Sequence, residues 1–179
     1  INFMVMGIDA TNLGIGGGIT YLKEILCIFD KIYFKDKIDE IVVFSSQKVI
    51  DQLEEDKFIK KYSFPNLNKG SIMRVFFQFF QFDNGIKKRC DILFSITGDY
   101  IGGFDLVVGM SRNMLLYVRD IWKEIKQSKE IIRFWINFKK QQKCFNDAKG
   151  IIFISNYANK YKNYLLIFFK IIPLWYEDV

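Results

Sequence analysis

Histidine occurs nowhere in the 179 residues. Its absence removes Ser-His-Asp and Cys-His catalysis and most zinc sites. Proline occurs only twice, and no Pro-, Ser- or Gly-rich linker is present, so an intrinsically disordered chain is excluded. Cysteine is scarce as well: Cys27, Cys90 and Cys144 lie far apart, with no C-x-x-C pair. An odd number of scattered cysteines fits reduced thiols in the cytoplasm better than a disulfide framework. No apolar stretch reaches the ~18 residues of a membrane span, and no signal peptide is visible. Acidic residues are outnumbered, giving a net charge of +6 and a pI near 9.1. That excess does not by itself argue for nucleic acid, and none is expected. An anionic membrane surface or a phosphorylated substrate would serve equally well. The first residue is Ile1, so a few residues are expected to precede it.

What remains is rich in apolar side chains. Half the residues are hydrophobic and 19 are Phe, enough for one domain with a sizeable core. The chain opens on Phe3-Met4-Val5-Met6-Gly7-Ile8-Asp9, an apolar run of strand length that suits a strand covered on both faces. A glycine-rich loop follows, Gly14-Ile15-Gly16-Gly17-Gly18. A helix then begins, with Ile19, Leu22, Ile25, Leu26 and Phe29 on one stripe. Further strands are expected at 41–44, 58–64 (edge-like), 90–95, 106–110, 150–154 and 171–173. Helices are expected at 47–55, at 71–82 with Ser71 as N-cap, along a long region 121–145, and at 157–168. The 71–82 helix, carrying Phe76, Phe77, Phe79, Phe80 and Phe82, reads as wedged into the core. This β-α order predicts an α/β fold of Rossmann-like, doubly wound type, with a mostly parallel sheet and helices on both faces.

In such sheets ligands bind beyond the carboxyl ends of the strands. The polar residues collected there are Asp9, Gly16, Gly17, Gly18, Thr97, Gly98, Asp99, Ser111, Arg112, Asn113, Ser155 and Asn156. A dinucleotide site would require G-x-G-x-x-G, but its third glycine position is Ile19. It would also require an acidic residue after the second strand, where Ser45 and Ser46 stand instead. No Walker-type phosphate loop is present.

Four stretches together resemble the N-terminal, acceptor-side domain of GT-B glycosyltransferases, most closely the large retaining family 4-like bacterial enzymes. They are G-I-D-A-T-N-L-G-I-G-G-G-I-T-Y-L, C-D-I-L-F-S-I-T-G-D-Y, V-V-G-M-S-R-N-M-L-L-Y and A-K-G-I-I-F-I-S-N-Y-A. The third looks like the family's R-N-M-L-P-F segment, with Leu116 in place of its proline. The resemblance implies one half of a GT-B fold. Residues 1–173 form the Rossmann-like domain and 174–179 start the interdomain linker, with the donor-binding half absent and no sugar transfer by this part alone. It further implies that Gly16, Gly17 and Gly18 face the donor diphosphate, and that Thr97, Gly98, Asp99, Arg112, Asn113 and Ser155 are candidates for holding a carbohydrate or lipid-linked acceptor. The nucleotide sugar enters as substrate, with no cofactor and no metal. Many relatives carry a histidine near the reacting sugar. Asn113 stands there instead and can hydrogen-bond a hydroxyl but cannot act as a base at neutral pH.

Each of these residues also has a plainer reading. The three glycines suit a tight strand-to-helix turn, Asp9 an acceptor for the loop's N–H groups, and Arg112 and Asn113 a capped strand end. Asp99 lies on a loop expected to be mobile, and Ser155 suits an N-cap. Arg119 to Lys149 carries nine Lys/Arg against four Asp/Glu, with Trp122, Phe134, Trp135 and Phe138 interleaved. That mixture fits either a core helix with a solvated basic face or peripheral contact with the inner face of the plasma membrane. Apolar surface left by the missing domain would favour a dimer. Two other functions stay open: a stand-alone non-catalytic α/β binding or scaffold module, and half of a GT-B-like sugar-nucleotide epimerase, which the lack of histidine disfavours.

Overall fold

The computed structural model describes residues 4–14, 16–31, 38–68, 76–79, 82–112 and 114–153. Six strands form one sheet: β1 (Val5–Asp9), β2 (Glu40–Ser45), β3 (Ile59–Ser63), β4 (Ile92–Ser95), β5 (Val107–Ser111) and β6 (Gly150–Phe153). Their order is β3-β2-β1-β4-β5-β6, and every neighbouring pair is parallel. The protein is therefore α/β with the doubly wound strand order of Rossmann-like domains. The edge position expected for 58–64 holds, with β3 at one margin.

The helices are α1 (Gly17–Lys31), α2 (Gln47–Ile50), α3 (Phe82–Ile86), α4 (Arg119–Glu124) and α5 (Ser128–Asp147). The expected helix at 47–55 shrinks to α2 and a turn. Two core clusters flank the sheet. On one face Ile8, Ile41, Val43 and Phe94 meet Ile19, Leu22 and Leu26 of α1 and Val49 and Ile50 of α2. On the other, Val42, Phe44, Leu93, Val107 and Ile151 meet Phe77, Phe82 and Ile86, with Cys144 and Phe145 of α5. Alternate side chains of β2, β4 and β6 enter opposite clusters, which is why these strands read as apolar runs, whereas the edge strand β3 carries Lys60 and Lys61. Fully burying one such side chain contributes roughly 1.5–3 kcal/mol.

Three expectations need correcting. The region 121–145 is two helices, because the backbone is extended at Ile125 and Gln127. The break lets Trp122 of α4 turn edge-on against Phe134 and Phe138 of α5. The phenylalanine run is not buried all round either. Residues 76–79 are helical, with Phe77 buried but Phe76 and Phe79 about half exposed at 49% and 50%. Asp99 is not on an open loop but is buried, for reasons given below. The N-cap expected at Ser71, the helix at 157–168, the strand at 171–173, and the site residues Asn113 and Ser155 lie outside the described residues.

Candidate functional site

The strand order reverses direction between β1 and β4, so the crevice of such a sheet lies beyond their carboxyl ends. The chain leaving β1 is tied down at once. Ala10 N–H donates to the Phe44 carbonyl at 2.9 Å, and the Ser45 hydroxyl donates to the Ala10 carbonyl at 2.7 Å. Asp9 Oδ1 accepts from the Thr11 N–H at 3.1 Å and the Thr11 hydroxyl at 2.7 Å. Asp9 thus has the structural part that its position suggested.

Beyond this anchor the glycine loop is open. Gly16 has φ +112°, a conformation that favours glycine, and its carbonyl accepts the Ile19 N–H at 2.9 Å as α1 begins. A methyl group built on Gly14, Gly16 or Gly17 meets nothing within 4 Å, whereas one on Gly18 comes to 3.1 Å from Leu13 Cδ2. Gly16 and Gly17 are exposed. Packing accounts for Gly18, and nothing packed against Gly17 requires a glycine there. At the same end of the sheet, the Arg112 guanidinium carbon lies 4.4 Å from the centre of the Tyr21 ring, one turn into α1. The Tyr21 hydroxyl in turn donates to Met110 Sδ at 3.1 Å. A cation is therefore held beside the N-terminal turn of a 15-residue helix, whose dipole also favours anions.

The loop after β4 does something different. Gly98, at φ +62°, is buried, and a methyl group there would overlap the Met110 carbonyl oxygen. Its glycine is required by packing. Asp99 turns inward. Its Oδ2 accepts from Lys140 Nζ at 2.7 Å and from Asn12 Nδ2 at 2.6 Å, and its Oδ1 accepts from the half-buried Thr97 hydroxyl. Lys140 also donates to Gln78 Oε1 at 2.8 Å, and Gln78 Nε2 donates to the Thr11 hydroxyl oxygen at 2.8 Å. One buried polar network thus joins the β1 loop, the helical segment at 76–79, the β4 loop and α5. Burial first, then the nearby Asp99 charge, pushes the Asp9 carboxyl up to about 6, against the opposing effects of Thr11 and Lys140.

Lys140 and Gln78 were not among the residues singled out in the sequence, although each carries a signal. Gln78 is the polar break in Phe76-Phe77-Gln78-Phe79, and Lys140 lies four residues before the buried Cys144 on the core side of α5.

Chemically, the edge has two levels. The lower is a closed network of satisfied charges that fixes the loops. The upper is a rim of bare loop backbone, Asn12, Thr97 and Arg112, able to bind and orient a ligand by hydrogen bonds. The buried Cys90 and Cys144 thiols are unsuited to nucleophilic work, since burial pushes Cys90 up to about 12 and Cys144 higher still. Among the described residues no group of three His, Cys, Asp or Glu side chains is disposed to hold a metal ion, and no helix is long and apolar enough to cross a membrane. A groove of about 380 Å³ lies elsewhere, between α1 and residues 53–59, and none of the candidate residues lines it. In comparisons with known proteins, the chain matches no family model and no curated protein.

Proposed function

We propose that this chain is the acceptor-side domain of a nucleotide-sugar-dependent glycosyltransferase of GT-B type, acting in surface polysaccharide or glycolipid synthesis at the cytoplasmic face of the membrane. The observation that carries the reading is the open glycine loop at the sheet's reversal point, with Arg112 held on Tyr21 beside it. In this reading the Gly16–Gly18 segment steadies the donor diphosphate through backbone N–H groups. Thr97 and Arg112 orient the acceptor at the rim, and Asn113 and Ser155 are proposed to share in that role. Binding and orientation are the work of this half. The nucleotide sugar is held by a second domain of a longer protein, so the 179 residues alone transfer no sugar.

The test is amide NMR of the chain titrated with a nucleoside diphosphate. Shifts confined to Gly16–Ile19 and the Arg112 neighbourhood, abolished by Gly17→Val, are expected. Unchanged glycine amides at saturating diphosphate overturn the reading.

A second reading, a non-catalytic binding module, draws on one observation: the charged groups beneath the rim, Asp9, Asp99 and Lys140, are all buried and engaged in one internal network. Diphosphate binding without any sugar transfer by the full parent protein would favour it. The epimerase alternative has no comparable support, since no histidine is available to serve at its cleft.

A further inference from the structure

The first two turns of α5 stand clear of the core. Residues 128–133 are all exposed, and the buried positions of the helix begin only at Lys140. Trp122 and Tyr117 cover one side of this projecting half, packing on Phe134 and Phe138 at ring separations of 5.2–5.8 Å. The strip of helix surface adjoining it is left bare. Ile131, Ile132 and Trp135 are 39%, 58% and 52% exposed, and their i, i+3 and i+4 spacing makes them neighbours on the helix surface. Single exposed apolar side chains are ordinary, but three adjoining ones that include a tryptophan form a patch. Lys126, Lys129 and Arg133 flank it, with Glu124 and Glu130 as the nearby acids. Among the described residues none of these three cations is in an ion pair.

We propose that this face of α5 docks on an anionic lipid bilayer. An isoleucine-tryptophan patch flanked by cations has the amphipathic make-up of a helix lying in a membrane interface. The protein's +6 net charge adds long-range attraction to a negative surface. The position of the patch matters too. Lys140 meets Asp99 at the carboxyl edge of the sheet, and at ~1.5 Å per residue Ile131 lies about 13 Å further along the helix axis, beyond that edge. Docking would therefore bring the lipid surface to the end of the sheet that carries the glycine loop. The proposal does not depend on sugar transfer.

The experiment is flotation of the chain with neutral phosphatidylcholine vesicles and with vesicles containing about 30% phosphatidylglycerol. Binding to the anionic vesicles only, with a blue shift of Trp135 emission in a Trp122→Phe, Trp175→Phe background, is expected. Both I131S/I132S/W135S and K126E/K129E/R133E should weaken binding tenfold or more, with unchanged circular dichroism. No binding to anionic vesicles, or binding by either variant as strong as that of the unaltered chain, overturns the proposal. Sedimentation provides the remaining outcome: a dimer that the apolar variant dissociates, without vesicle binding, would make this face a contact between copies and overturn it as well.

Discussion

Lys140 Nζ lies 2.7 Å from Asp99 Oδ2, and the two side chains are only 6% and 7% exposed. This pair joins α5 to the loop after β4, and Gln78 extends the connection to the β1 loop through Thr11. The open rim of the candidate site rests on it.

Removing one member of the pair leaves a charge buried without its partner. Lys140→Met and Asp99→Asn should each cost about 3–5 kcal/mol. The double variant should cost clearly less than the sum, because it leaves neither charge stranded. Urea unfolding of the four proteins gives the cycle, and additive losses would mean that the pair is not coupled.

Asp9 supplies a pH dependence of stability. Its folded pKa of about 6 lies above the ordinary carboxylate value of 3.8, so the folded protein holds this proton more tightly than the unfolded chain. The stabilisation is fully present below pH 3.8 and is lost as pH rises through 6. A shift of this size corresponds to roughly 3 kcal/mol. Asp9→Asn keeps an acceptor for Thr11 but does not titrate. The difference in unfolding free energy between wild type and Asp9→Asn should change by that order between pH 4 and 7 and be flat above. A flat difference throughout would show that Asp9 is ionised across the range.

The glycines should separate by site. Gly98→Ala places a methyl against the Met110 carbonyl at φ +62° and should destabilise by more than ~1 kcal/mol. Gly17→Ala meets nothing within 4 Å, and in the first turn of α1 it should be neutral or stabilise by up to ~1 kcal/mol. Thermal unfolding distinguishes the two, and loss of stability in Gly17→Ala would show that packing alone explains that glycine.

Thiol reactivity should follow burial. Cys27 is exposed, whereas Cys90 and Cys144 are buried, and their thiols are pushed up in pKa. A thiol-reactive disulfide at pH 8 should label one cysteine rapidly in the folded protein and all three in denaturant. Cys27→Ser should abolish the rapid phase.

Much of this architecture is written locally. Val5–Asp9, Glu40–Ser45 and Val107–Ser111 are apolar runs because both faces of a parallel strand are covered. The Ile19, Leu22 and Leu26 stripe reports one buried face of a helix. The carboxyl-edge location of Asp9, the glycine loop and Arg112 follows from such local patterns once the strands run parallel, whereas the order of the strands is a result of the tertiary structure. The long region 121–145 reads as one helix because its hydrophobic spacing is nearly continuous, and the extended residues at 125 and 127 carry no proline or glycine to announce the break.

The sequence by itself determined the parallel α/β sheet, because burial imposes a short period that can be read one element at a time. Only the tertiary structure decided that Asp99 faces inward, that Lys140 and Gln78 meet it, and that Ile131, Ile132 and Trp135 face outward. Lys140 is 41 residues from Asp99 and 62 from Gln78. Contacts over such separations arise from how whole elements pack, and no local period records them.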